Sequence, residues 1–169
     1  MDELSSYGIS TTGALIRLHA DVLARYSGGY CGEGVISAAE KVGSAYGLMN
    51  LVRASLPLLS RGIVLLPLDL LSLHGLSPEK IYNKKDHDAS KAVIKDIVHV
   101  ASAHLKSGRD LCYSIPNSIR PAFIASACGI DHIIKITKKV DYDIYSAYLQ
   151  RRNPLFIWSV LWKRLLRTY

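Results

Sequence analysis

Residues 43–53 read GSAYGLMNLVR, and this stretch lies at the centre of the longest helical pattern in the chain. Apolar residues recur there at intervals of three and four, which is the spacing of one helix face. The residues of this pattern are Ala38, Val42, Ala45, Met49 and Val52. Only modest charge lies between them, so the sequence predicts a long helix over about 35–60 that is buried on several sides.

Helical spacing also dominates the rest of the chain, whereas alternation over five or more residues is rare. We therefore predict an all-α fold, with one domain over residues 1–169 and further helices over about 3–26, 88–112, 122–139 and 154–167. Pro57 should kink or end the long helix near Ser55, because proline lacks a backbone donor and clashes with the preceding turn.

Composition excludes several classes of protein. The 169 residues are 49% apolar and 21% charged, which fits a globular domain and excludes a disordered chain. Every uncharged stretch is well short of the ~20 residues that cross a bilayer. The acidic start carries no signal or transit peptide pattern, so we expect a cytoplasmic chain, peripheral at most on the inner face of a membrane. The three cysteines form no C-x-x-C pair, and we expect reduced thiols and no metal site.

The net charge of +7 is concentrated near the end of the sequence. This asymmetry predicts a surface that meets anions, with a merely solvated basic face as the alternative. Residues 154–167 place Leu155, Trp158, Trp162 and Leu165 on one helix face, the pattern of a helix lying at a membrane surface. Packing of that face against the domain explains the pattern equally well. The basic residues predicted to contact a membrane or partner with Trp158 and Trp162 are Arg151, Arg152, Lys163 and Arg164. No nucleic-acid-binding motif accompanies the charge, so we expect no nucleic acid partner.

The central helix and the segment after it resemble the squalene/phytoene synthase family. GSAYGLMNLVR and RGIVLLPLD, residues 61–69, match without a gap the family patterns G-x-A-x-Q-L-T-N-I-L-R-D and R-G-R-x-Y-L-P-x-D. The resemblance implies an isoprenoid-synthase-like barrel of helices, of which this chain is the C-terminal part. In that family two aspartate motifs hold Mg²⁺ ions that bind a prenyl diphosphate.

The chain departs from the family where the second aspartate motif should stand. Ala54 and Leu58 occupy its two positions, and neither side chain can bind Mg²⁺. The first motif lies upstream of the matched region, so the chain is N-terminally truncated relative to the family. Val52-Arg53-Ala54 with Pro57, and Leu73-His74-Gly75, resemble the branch of the family that lacks the aspartates and assists assembly of mitochondrial complex I. A plain Met start fits a bacterial relative, a fragment or a split gene product.

The resemblance implies a pseudoenzyme: a binding or respiratory-complex-assembly-type protein near a membrane, with no catalytic residues and no cofactor. The alternative is a Mg²⁺-dependent prenyl-diphosphate transferase of isoprenoid biosynthesis, active only with a missing N-terminal half. Arg53, Arg61 and Asn50 are the predicted remnant of the diphosphate site, although ordinary ion pairs and hydrogen bonds explain them as well. The expected partners are a membrane surface or a protein, with a prenyl diphosphate, another lipid or a second copy of the chain as further possibilities.

Overall fold

The computed structural model describes residues 2–169 and confirms the all-α prediction: these residues form helices, turns and loops and contain no β-strand. The α-helices in chain order are α1 (Asp2–Gly8), α2 (Ala14–Tyr26), α3 (Glu33–Leu59), α4 (Leu68–Leu73), α5 (Pro78–Tyr82), α6 (His87–Asp110), α7 (Pro121–Lys139) and α8 (Phe156–Leu165). A π-helical turn, Ile9–Gly13, joins α1 to α2. Short 3₁₀ segments follow α6 and precede α8.

Helix α3 forms the centre of the fold, as its apolar pattern predicts. It packs against α1, α2, α6 and α7, and buried residues lie on several of its sides. Leu48 and Val52 are completely buried. In the second half of α3 the exposed residues are Asn50, Arg53 and Pro57.

Glycines bring α3 close to the N-terminal helical segment. A Cβ atom added to Gly43 would lie 2.6 Å from Cα of Gly13, and one added to Gly47 would lie 2.8 Å from Cα of Gly8. Side chains would therefore force the two backbones apart. We call Gly8, Gly13, Gly43 and Gly47 the glycine interface.

Pro57 does not end α3 near Ser55, because the helix continues through Pro57 to Leu59, close to the predicted limit of about residue 60. The other effect predicted for Pro57, a kink, stays a prediction. Proline cannot donate to the carbonyl of Arg53, which stands four residues earlier. In the structure the side-chain amide of Gln150 donates to that carbonyl at 2.5 Å. A residue distant in sequence thus satisfies the acceptor that the proline leaves free.

None of the helices within residues 2–169 combines the length and the hydropathy that a membrane-spanning helix needs.

Candidate functional site

The two positions of the family's second aspartate motif lie on α3 as half-buried apolar side chains. Ala54 and Leu58 offer no oxygen atom to a cation. Across residues 2–169, no cluster of at least three histidine, cysteine, aspartate or glutamate side chains is arranged to hold a metal ion. The residues present therefore do not fit the magnesium site of the family's enzymes, and we derive no step through it.

Arg53 lines a cavity of about 360 Å³ between α3, α7 and the segment that precedes α8. The apolar part of its wall includes Ile133, Ile136 and Phe156, and the basic part consists of Arg53, Arg151 and Arg152. No carboxylate lines this cavity. The structure therefore brings an arginine of the predicted diphosphate remnant together with two arginines of the predicted membrane or partner contact.

Two contacts hold Arg151 at the edge of this cavity. Its guanidinium lies 4.0 Å from the centre of the Tyr148 ring, within the range of a cation–π interaction. Its backbone oxygen is 3.1 Å from Nε2 of His132. Sequence reasoning missed His132 and Tyr46, which both line the cavity, because nothing in their local sequence shows that α3 and α7 bring them together.

Asn50 and Arg61 do not line the Arg53 cavity. Asn50 is exposed on α3, and Arg61 is exposed in the turn that follows this helix. A diphosphate site composed of Asn50, Arg53 and Arg61 stays a prediction.

Helix α8 rests on the domain through one face only. Phe156 and Val160 pack against the buried core. Lys163 follows on the same face, and its Nζ lies 3.3 Å from the Asp131 carboxylate on α7. Arg109 of α6 donates to the same carboxylate at 2.6 Å. The Lys163 side chain is only 25% exposed, so this lysine tethers α8 to the domain and lies on its inward side, away from the predicted contact surface.

The opposite face of α8 is apolar and exposed. Trp158 and Trp162 are 69% and 63% exposed. We define the α8 outer face as Ile157, Trp158, Leu161, Trp162 and Leu165, all of them exposed. Within residues 2–169 the tryptophan face therefore does not pack against the domain, contrary to that alternative. Sequence spacing identified the stripe, but it could not show which side of the helix meets the core.

The charged side chains from residue 144 onward are all positive. No aspartate or glutamate occurs after Asp143, whereas Arg151, Arg152, Arg164 and Arg167 are exposed. An apolar helix face beside uncompensated arginines complements an anionic surface.

Burial raises the pKa of two of the cysteine thiols. Burial raises the pKa of the Cys128 thiol on α7. Burial and a hydrogen bond to Asp21 raise the pKa of Cys31 to about 11. With a pKa of about 11, the Cys31 thiol is almost entirely protonated at neutral pH and is a poor nucleophile.

The sequence was compared with models of known protein families. The family model for squalene/phytoene synthase matches residues 1–159. The chain belongs to the squalene/phytoene synthase family. This confirms the predicted family and supports the helical-barrel fold inferred from it.

Similar proteins carry the name "NADH dehydrogenase (ubiquinone) complex I, assembly factor 6". The mouse protein is 32% identical over 167 residues, which are 97% of this chain and 48% of the relative. The human protein is 30% identical over 165 residues, covering 96% of this chain and 48% of the relative. The Drosophila melanogaster homolog is 30% identical over 169 residues, covering 99% and 48%.

The chain thus spans about half the length of these relatives. No solved structure matches the chain. The relatives named here are eukaryotic, so a bacterial origin stays a prediction, as does a cytoplasmic location.

Proposed function

We propose that this chain is a non-catalytic member of the squalene/phytoene synthase family that takes part in respiratory complex assembly and docks on an anionic membrane surface through the α8 outer face. The names of its relatives support the assembly role. Ala54 and Leu58, in place of the family's aspartates, support the absence of catalysis. The relatives are named as assembly factors of complex I. We therefore propose complex I proteins as the protein partners of this chain.

The observation that carries the membrane contact is the exposure of both tryptophans on α8. Indole rings favour the boundary between lipid and water, since they combine a large apolar surface with one polar N–H group. Exposed arginines close to a membrane surface each gain about 1 kcal/mol from anionic lipids. Helix α8 presents both tryptophans to solvent, while its opposite face packs against the core through Phe156 and Val160.

The prenyl-diphosphate transferase alternative finds no support in this half of the fold. Departure of a diphosphate requires metal ions held by carboxylates, which would neutralise the leaving group. An added N-terminal half could supply the first aspartate motif, yet Ala54 and Leu58 would still leave the second motif without ligands.

Vesicle flotation tests the membrane contact. We expect the chain to float with vesicles of equal parts phosphatidylcholine and phosphatidylglycerol, and to bind phosphatidylcholine vesicles much more weakly. Trp158→Ser with Trp162→Ser should abolish flotation, since both side chains leave the α8 outer face. A matched control is Leu18→Ser with Val22→Ser, which removes two exposed apolar side chains from α2. This control should float like the original chain. Equal flotation of all three proteins, or none by the original, contradicts the proposed contact.

An activity assay tests the non-catalytic assignment separately. The folded chain is incubated with farnesyl or geranylgeranyl diphosphate and Mg²⁺, and the products are extracted and identified. We expect no condensation product. Robust turnover would refute the assignment, whatever the outcome of flotation.

A further inference from the structure

A basic pocket lies where the end of α8 meets the start of α7. It has a volume of about 320 Å³, at the small end of the roughly 300–1,000 Å³ typical of ligand sites. Three arginines, Arg120, Arg164 and Arg167, line it together with Asn117 and Ser118. We call this feature the basic pocket. It is distinct from the Arg53 cavity, with which it shares no lining residue.

Arg120 is held in place by the backbone around it. Its Nε donates to the carbonyl of the buried Ile115 at 2.9 Å, and its Nη1 donates to the carbonyl of Arg167 at 2.9 Å. A guanidinium carries five N–H groups, so these bonds leave three for a ligand. The group is thus preorganised, and a ligand would gain its hydrogen bonds at a reduced cost in side-chain entropy.

The end of the chain is also fixed beside the pocket. The Tyr169 ring stacks on Phe123 of α7, with 4.8 Å between the ring centres. Its hydroxyl donates to the carbonyl of Gly108, and Arg109 donates to the Tyr169 carbonyl at 2.9 Å. These contacts constrain Arg167, which lies two residues before Tyr169.

The arginines of the basic pocket form no ion pair within the described residues. No carboxylate lines the pocket, and no ion pair within residues 2–169 involves Arg120, Arg164 or Arg167. The Asp131 carboxylate on α7 is already shared by Arg109 and Lys163. Like charges held together repel one another, and an anion bound among them would relieve that repulsion.

We propose that the basic pocket binds a phosphate group, either on an anionic lipid head group or free in solution. Planar guanidinium groups match the oxygens of phosphate and can bind two of them at once. Arg164 follows Leu161 by three residues and precedes Leu165 by one, so it borders the α8 outer face. This geometry favours a head group whose acyl chains lie against the exposed side chains of Ile157 and Leu161, which are the part of the α8 outer face nearest to Arg164. The lipid source rests on the proposed membrane contact, whereas phosphate binding itself does not.

Titration with inorganic pyrophosphate tests the pocket without any membrane. Amide chemical shifts of the ¹⁵N-labelled chain should change at residues 117–120 and 164–167, and the changes should saturate. Arg164→Gln with Arg167→Gln should weaken binding by roughly tenfold or more, since charge-assisted hydrogen bonds are lost. The matched control is Arg25→Gln with Lys106→Gln, which removes two exposed positive charges elsewhere. The control should bind pyrophosphate like the original chain. Absence of saturable shifts at the pocket, or equal weakening in both variants, overturns the proposal.

Vesicles distinguish the two sources of phosphate. If the source is a lipid, the Arg164→Gln, Arg167→Gln variant should bind phosphatidylglycerol vesicles more weakly than the control variant. Vesicle binding that is equal in the two variants, together with pyrophosphate binding at the pocket, assigns the pocket to a soluble phosphate. A third result would refute phosphate binding at the basic pocket and leave the proposed function intact. In that case flotation depends on Trp158 and Trp162, pyrophosphate does not bind, and the arginine variant floats like its control.

Discussion

Helices α3 and α8 both carry closely spaced apolar residues, but the fold uses them in opposite ways. Leu48 on α3 is 0% exposed, whereas Leu165 on α8 is 72% exposed. Neighbouring helices pack against α3 on several sides, while α8 meets the domain through one face that includes Phe156, Val160 and Lys163. Apolar spacing of the same kind therefore stabilises the fold in one helix and provides a surface in the other.

The first prediction compares the same substitution in the two helices. Leu48→Ala should lower the free energy of unfolding by about 2–5 kcal/mol, because it leaves a cavity in the core. Leu165→Ala should change it by less than about 0.5 kcal/mol, since the side chain is exposed. Chemical denaturation measures both, and a single cooperative transition is expected because we propose one domain. Similar losses in the two variants would contradict the contrast between the helices.

A second comparison uses glycines in the middle of two buried helices. Gly43→Ala should destabilise the fold by about 1–3 kcal/mol, because the new Cβ would lie 2.6 Å from Cα of Gly13. Gly129→Ala on α7 should stabilise it by about 0.5–1 kcal/mol, since its nearest contact is the Tyr46 ring at 3.7 Å and alanine favours the helix. Thermal melts of the two variants should shift in opposite directions. A neutral Gly43→Ala would argue against the glycine interface.

The smallest expected effect concerns the attachment of α8. Asp131→Asn should cost about 1 kcal/mol, because it removes the charge shared by Arg109 and Lys163 in a partly exposed position. Asp141→Asn is the control, since this carboxylate pairs with Lys91 but is 76% exposed, and it should cost less than about 0.5 kcal/mol. Limited proteolysis should cut near α8 faster in the Asp131→Asn variant alone. Equal cleavage rates would show that the carboxylate does not hold α8.

Local pattern predicted the helices, and the gapless match over residues 43–69 predicted the family. The helical pattern predicted that α3 reaches about residue 60. Local sequence could not show that Gln150 donates to the carbonyl that Pro57 leaves free. Helical spacing also identified the tryptophan stripe on α8. It could not place Lys163 on the inward side, since that position depends on Asp131 of another helix.

The candidate sites show the same limit. Arg53 was predicted from its place in the family pattern, and Arg151 and Arg152 from charge alone. Their meeting at one cavity depends on how α3, α7 and the segment before α8 pack. The basic pocket was missed because Arg120 lies far from Arg164 in sequence, and no local motif connects them.

The central claim is that the α8 outer face enters a membrane surface. The intrinsic fluorescence of the chain can report this contact. Trp158 and Trp162 are its only tryptophans, and both lie on that face. The most direct measurement is tryptophan emission of the unmodified chain with phosphatidylglycerol-containing vesicles whose acyl chains are brominated. We predict a shift of the emission to shorter wavelength and quenching by the bromine atoms, because both rings enter the lipid boundary. Emission that keeps its wavelength and intensity at saturating vesicle concentration would contradict the claim.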